Sequence, residues 1–325
     1  MIIRANDEKI RYTGRWNVKG ELATSSAPGN YFEFGFIGTT AQIAFSTAGL
    51  AEPFPRIYII VDGGALVSSV LDSYHRITCE KGGEHHVKVL IKSTHETGSD
   101  RWTKDLDSRV TLAGIEADGF YKLSPDERPK IEFIGDSITE GIAIDAVDEM
   151  YYVEKRLPVH YNDSAADYAY LTAKELNFRP YTMGYGRLGI CIEGNGKIPP
   201  VINAYGFYSE GEPMESVCAD YIIINHGTND LRVEAEVFIP EYEKFLKHVR
   251  ERNPSSNIIA LTPFGGYHRE DIKVAVDNYN KENGDKVYYL DSFGWTPVQP
   301  LHPLRDGHIE VAKNLSAFIK KTFLE

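Results

Sequence analysis

Apolar and polar positions alternate in short runs through the first third of the chain, and then the rhythm changes. Tyr31–Ile37, Ala41–Phe45, Arg56–Val61, Ala65–Leu71, His85–Ile91 and Arg109–Ile115 are rich in aromatic and β-branched residues. That composition and spacing predict strands. Turn residues separate the runs: Pro28-Gly29-Asn30, Gly38-Thr39, Asp62-Gly63-Gly64, Lys81-Gly82-Gly83 and Thr97-Gly98-Ser99-Asp100. The Asp62-Gly63 step predicts a tight hairpin, because these residue types tolerate positive φ. No helical pattern longer than two turns is visible. Residues 1–122 are therefore expected to form an all-β sandwich.

Leu123-Ser124-Pro125-Asp126-Glu127-Arg128-Pro129 is polar, holds two prolines and reads as a linker. From residue 130 to residue 325 the pattern is α/β. Strands are expected at Ile131–Ile134, Arg179–Met183, Ala219–Asn225, Asn257–Thr262 and Lys286–Leu290. Helices are expected at about Asp163–Leu176, with Asp163 or Ser164 as N-cap, and at Ala235–Arg252, Glu270–Asn283 and Gly307–Phe323. Apolar Val237, Phe245 and Val249 mark the buried side of the second helix. Residues 142–162 and Glu193–Val217 read as long irregular segments. Each strand is followed by Gly, Pro or small polar residues and then a helix, the rhythm of a parallel sheet covered on both faces.

Composition adds little to the fold but narrows the partners. The chain has 325 residues, 42% hydrophobic and 25% charged, with a net charge of −12. Such a charge argues against nucleic acid or an anionic membrane surface. No apolar run is long enough to span a bilayer. Met1-Ile2-Ile3-Arg4-Ala5-Asn6 lacks the pattern of a secretory leader. A cytoplasmic location is expected for the chain as it stands, and secretion if a leader precedes it. Cys79, Cys191 and Cys218 have no metal-binding or disulfide spacing, so reduced thiols are expected. No three-residue zinc cluster is visible, and no cofactor is expected.

The chemistry concentrates around Lys130–Gly141. An apolar strand breaks at Gly135 and presents Asp136 and Ser137 before a helical turn. The serine hydroxyl would then stand at the carboxyl edge of the sheet, where open α/β folds bind ligands. Free N–H groups of the turn would accept an anion there. Ser137 is either a nucleophile or only a helix cap. His302, in Pro300-Leu301-His302-Pro303, lies between the last strand and the last helix, on the same sheet edge; it is either a general base or a plain loop histidine. His308 and His226 are weaker bases. Asn229 follows a buried strand after Gly227, and its amide is either an oxyanion donor or a turn cap. Gly184, Gly186 and Gly189 follow another strand end and offer a further N–H.

Together these blocks resemble the SGNH, or GDSL, hydrolase superfamily. Gly135-Asp136-Ser137-Ile138 matches its nucleophile block. Gly227-Thr228-Asn229-Asp230 matches its Gly-x-Asn-Asp block, and His302-Pro303 with Gly307-His308 looks like its histidine block. A β-sandwich carrying Tyr12-Thr13-Gly14-Arg15-Trp16 before such a domain is similar to the family 2 carbohydrate esterases, which deacetylate xylan and other sugars. The resemblance implies a jelly-roll sandwich followed by a three-layer, flavodoxin-like hydrolase domain. It also implies Ser137 as nucleophile, His302 as base, and an oxyanion hole from the Ser137 N–H, Asn229 and Gly189, with Gly186 as second choice. The substrate would be an acetylated oligosaccharide or polysaccharide.

The superfamily usually places an acid three residues before its histidine. Here that residue is Gln299, followed by Pro300. A Ser–His dyad is therefore expected, with the Gln299 side chain or a carbonyl near Pro300 orienting the imidazole. Asp291 and Asp306 lack the spacing. Two other readings stand beside this one: a lipase- or thioesterase-type acyl hydrolase, and a carbohydrate-binding protein with an impaired site. Aromatic residues Tyr151-Tyr152, Tyr205–Tyr208 and Trp295 favour a sugar over a long acyl chain. A homo-oligomer is compatible with the sequence.

Overall fold

The computed structural model describes residues 1–146 and 158–325. The N-terminal half is an antiparallel sandwich of ten strands: β1 Ile2–Arg4, β2 Ile10–Thr13, β3 Asn17–Lys19, β4 Leu22–Ser25, β5 Tyr31–Phe45, β6 Arg56–Val61, β7 Val67–Val70, β8 Tyr74–Thr78, β9 Glu84–Ser93 and β10 Val110–Tyr121. The expected hairpin is present. Arg56 faces Val70 and Ile59 faces Val67, and Asp62 and Gly63 both have positive φ.

Two strands expected on either side of a turn at Gly38-Thr39 are instead one strand, β5. Its first half lies between β9 and β2, its second half between β8 and β10. Gly38, at φ +127°, carries the bend, and a Cβ there would meet the Asp118 carboxylate at 2.6 Å. The first half of β5 also loses the usual inside–outside alternation. Phe32, Phe34 and Phe36 fill the sandwich core. Tyr31 faces the other way and packs with Tyr58 and Leu90 against Ala165 and Tyr170 of the second half. A strand covered on both faces has no solvent side to mark with polar residues.

The second half holds a five-stranded parallel sheet. Its strands are β11 Lys130–Gly135, β12 Arg179–Gly184, β15 Tyr221–Asn225, β16 Asn257–Leu261 and β17 Tyr288–Leu290, in the order β12-β11-β15-β16-β17. Alternate side chains go to opposite faces. Ile134, Ile222, Ile224, Ile258 and Ala260 pack in one cluster, whereas Ile131, Phe133, Ile223, Ile259 and Leu261 pack in another. Helices α1 Pro158–Tyr161, α2 Tyr168–Leu176, α3 Val201–Ala204, α4 Ala235–Arg252, α5 Arg269–Asn283 and α6 Arg305–Ile319 accompany the sheet, and a π-helical turn, Lys320–Leu324, continues α6. Helices α4 and α5 cover the first face, α2 and α6 the second. The segment expected to be irregular between Glu193 and Val217 carries α3 and a small hairpin, β13 Phe207–Ser209 with β14 Glu212–Pro213.

Two local expectations change. The cap of α2 is Asp167, whose side chain accepts the Tyr170 N–H at 2.7 Å. Asp163 and Ser164 are taken up by the sandwich: Tyr58 Oη donates to Asp163 (2.8 Å) and Ser164 Oγ donates to the Ile91 carbonyl (2.8 Å). On α4, Val237 is 53% exposed, and the buried face is Phe238, Tyr242, Phe245, Leu246 and Val249. That set follows helical spacing more closely than the one starting at Val237. Among the described residues no helix is long and apolar enough to cross a membrane.

Candidate active site

Strand β11 sits inside the sheet with β12 on one side and β15 on the other. The chain thus leaves β11 and β15 in opposite directions, and a crevice opens at their carboxyl ends. Ser137 and Asn229 follow those two strands. Glycines let the turn after β11 fold back tightly. A Cβ on Gly135 would overlap Thr139 Oγ1, and one on Gly184 would lie 2.6 Å from Glu140 N and Thr139 C.

The turn brings Ser137 against His302. The imidazole Nε2 lies 2.9 Å from Ser137 Oγ, so a neutral ring with a bare Nε2 accepts the hydroxyl proton. Nδ1 is buried and has no hydrogen-bond partner among the described residues. Neither Gln299 nor the Pro300 carbonyl, the two groups expected to orient the ring, therefore bonds to it. Gln299 points to solvent, and Asp291 is held by Arg269. With no carboxylate beside it among the described residues, burial sets the basicity of His302 and lowers its pKa to about 4. His308 and His226 are wholly buried and pushed down to about 3. His308 Nδ1 accepts the Tyr168 N–H at 2.9 Å; it is a neutral structural residue, not a second base.

Asn229 stands beside the nucleophile turn. Its Nδ2 donates to Asp136 Oδ2 (3.2 Å) and to the Leu188 carbonyl (3.1 Å). Asp136 Oδ1 accepts the Ile138 N–H at 2.9 Å. Asp136 is fully buried, which pushes its pKa up to about 7. Both amide hydrogens of Asn229 are thus engaged, and a developing oxyanion would share one of them.

The second block differs from expectation. The Gly189 N–H donates to the Ile192 carbonyl at 2.9 Å, so Gly189, the glycine expected to donate to an oxyanion, is spent. Gly189 instead lets the Asp230 carboxylate approach; a Cβ would lie 2.7 Å from it. That carboxylate accepts the N–H groups of Ile190 and Cys191 at 2.9 and 2.8 Å. Gly186 N–H donates to Glu140 Oε2 at 2.6 Å, and Leu188 N–H to the Tyr185 carbonyl at 3.1 Å. Of the four N–H groups from Gly186 to Gly189, that of Arg187 donates to no described residue, and Arg187 has φ +62°. The Ser137 N–H is likewise unpartnered among the described residues.

Of the aromatic residues expected around the site, Tyr205 and Tyr208 are turned to other contacts. Tyr205 is in the core, with its hydroxyl donating to Glu132 at 2.7 Å. Tyr208 lines a cavity of about 560 Å³ between the sandwich and the β13–β14 hairpin, and Trp295 packs against the cluster under α6. Tyr151 and Tyr152 lie outside the described residues. Sequence reasoning passed over Asp136, Glu140 and Asp230; their positions next to Ser137 and Asn229 were the available signal.

A Ser–His pair at the carboxyl edge of a parallel sheet is an arrangement shared by serine hydrolases of several folds. The profile of the GDSL-like lipase/acylhydrolase family matches residues 133–308, more than half of the chain, and the chain belongs to that family. No curated protein sequence matches it significantly. Similar folds occur among solved structures. A family two carbohydrate esterase from Cellvibrio japonicus is 22% identical, with a TM-score of 0.80 over 99% of this chain and 97% of its own. One from Clostridium thermocellum, solved in complex with cellohexaose, is 22% identical, with a TM-score of 0.79 over 96% and 98%. An acetyl xylan esterase from the rumen bacterium Butyrivibrio proteoclasticus is 21% identical, with a TM-score of 0.78 over 99% and 98%. Both halves of the chain, sandwich and α/β domain, share this fold.

Proposed function

We propose that the protein is a serine esterase that removes acetyl groups from hydroxyls of sugars. The observation that carries this is the 2.9 Å contact between His302 Nε2 and Ser137 Oγ at the crevice of a GDSL-family domain. The shared two-domain fold of the family two carbohydrate esterases supports a carbohydrate as substrate.

His302 takes the Ser137 proton as Oγ attacks the acetyl carbonyl. The negative oxygen meets the Ser137 N–H and the Asn229 amide, with the Arg187 N–H in the part expected of Gly189. His302 then protonates the departing sugar oxygen, and water, deprotonated by the same ring, hydrolyses the acetyl-serine. Because no carboxylate among the described residues stabilises the imidazolium, the pair works as a dyad.

Acetate release from acetylated xylo-oligosaccharides and from 4-nitrophenyl acetate tests this. Ser137→Ala and His302→Ala are each expected to lose at least about 10³-fold in kcat. A Ser137→Ala enzyme that keeps most of its activity would sink the proposal. Octanoyl esters turned over faster than acetyl esters would keep the nucleophile but reassign the substrate to a lipid-like acyl group.

A further inference from the structure

The two halves of the chain meet at the site through one buried ion pair. Arg101, from the loop between β9 and β10, is fully buried, as is Glu140, three residues after Ser137. The guanidinium forms a salt bridge with Glu140 Oε1, and its second terminal nitrogen lies 3.4 Å from Oε2. Residues of both halves hold Arg101: Thr94 and Ser26 of the sandwich, and Tyr185 after β12. Its Nη1 donates to Thr94 Oγ1 at 3.1 Å, its carbonyl accepts from Ser26 Oγ at 3.0 Å, and its guanidinium lies 5.0 Å from the Tyr185 ring centre.

Glu140 spends its other oxygen on the Gly186 N–H, at 2.6 Å. Gly186 begins the turn that carries the free Arg187 N–H and the Leu188 carbonyl that receives Asn229. Gly186 packs closely on a second carboxylate, from the sandwich half: a Cβ there would overlap Glu96. A buried ion pair is seldom the most stable way to fill a core, since desolvation offsets most of the attraction. Its value here is geometric. It locks one carboxylate between the nucleophile turn and the turn that faces it.

We propose that Arg101 is a positioning residue for the esterase centre, acting from the sandwich domain through Glu140 to fix the Gly186–Leu188 turn on the oxyanion side of Ser137. This rests on the esterase reading above. A fixed donor contributes because it needs no reorganisation when charge develops, so loosening the turn should cost kcat more than substrate binding.

The experiment compares the full-length wild type with Ser137→Ala, Arg101→Ala, Arg101→Lys and Glu140→Gln on 4-nitrophenyl acetate, after circular dichroism of each. Arg101→Ala is expected to lose about 10²-fold in kcat with KM changed by no more than about threefold. Arg101→Lys should recover part of that loss. Free guanidinium ion, below denaturing concentration, should restore part of kcat to Arg101→Ala and none to Ser137→Ala. A folded Arg101→Ala enzyme with kcat within about threefold of wild type overturns the proposal, as does a loss that neither lysine nor guanidinium relieves. Should Arg101→Ala not fold, the near-isosteric Glu140→Gln decides: a fall in kcat supports the proposal and an unchanged kcat overturns it. Activity surviving in Ser137→Ala would instead strike at the esterase reading, independently of Arg101.

Discussion

Lowering the pH gives the most demanding test of the His302 environment. An ordinary histidine titrates near 6.5. Burial lowers His302 to about 4, because the imidazolium loses water and gains no counter-charge from the described residues. The sign matters. Protonation fills the Nε2 lone pair that must accept the Ser137 proton, so a lower pKa keeps the base competent in acid. At pH 5 a pKa of 6.5 leaves roughly 3% of the ring neutral, whereas a pKa of about 4 leaves roughly 90%. The difference is about 30-fold in competent enzyme. The ring-proton NMR resonance of His302, assigned by its loss in His302→Gln, reads the ionisation directly, and kcat/KM for acetate release reads its consequence. Asp136, pushed up to about 7 by burial, titrates in the same range and faces Asn229, not the imidazole. Burial also pushes Glu140 up to about 7, so a shallow step near pH 7 belongs to these two carboxyls, and the steep loss near pH 4 belongs to His302. A ring resonance titrating near 6.5 would refute the reasoning and place an unrecognised acid or open water beside Nδ1.

Other perturbations follow from single contacts. Asp136→Asn keeps the shape but turns an amide nitrogen toward Asn229 Nδ2, donor against donor; kcat is expected to fall about 10- to 100-fold while the far-ultraviolet dichroism stays unchanged. Gly184→Ala places a methyl 2.6 Å from the backbone of Thr139 and Glu140, so urea denaturation should show a loss of about 2 kcal/mol, together with lower esterase activity. Tyr58→Phe removes the 2.8 Å hydrogen bond to Asp163 across the domains; a loss of about 1 kcal/mol is expected, and no measurable loss would mean that the contact is solvated in the working protein.

The elements most legible in the sequence are those whose residues answer to one local demand. Helix α4 was expected at its observed limits, Ala235–Arg252, because periodicity and the following Pro254 agree. The hairpin at Asp62-Gly63 was read from the one residue pair that its backbone requires. The contact of Ser137 with His302 was legible because strand ends in a parallel sheet share an edge, which lets the two meet from 165 positions apart. What escaped the sequence has two partners. Asp163 resembles a helix cap until Tyr58 claims it. Gly189 has the look of an oxyanion glycine, yet its N–H closes a turn and its bare Cα makes room for Asp230. No local pattern encodes such competition. The same holds for Gln299, which occupies the acid's usual place but points to solvent.

The sandwich face covered by the second half has a consequence for how the protein is made. Synthesis delivers residues in order, and N-terminal domains generally fold first. Until Ala165 and Tyr170 emerge, the Tyr31, Tyr58 and Leu90 surface stands open, and Arg101 has no Glu140 to pair with. The nascent sandwich is therefore a sticky intermediate whose own downstream segment must cap it. Truncations at the linker should come out of expression as aggregates, while chains long enough to supply Glu140 and the α2 region shed that tendency.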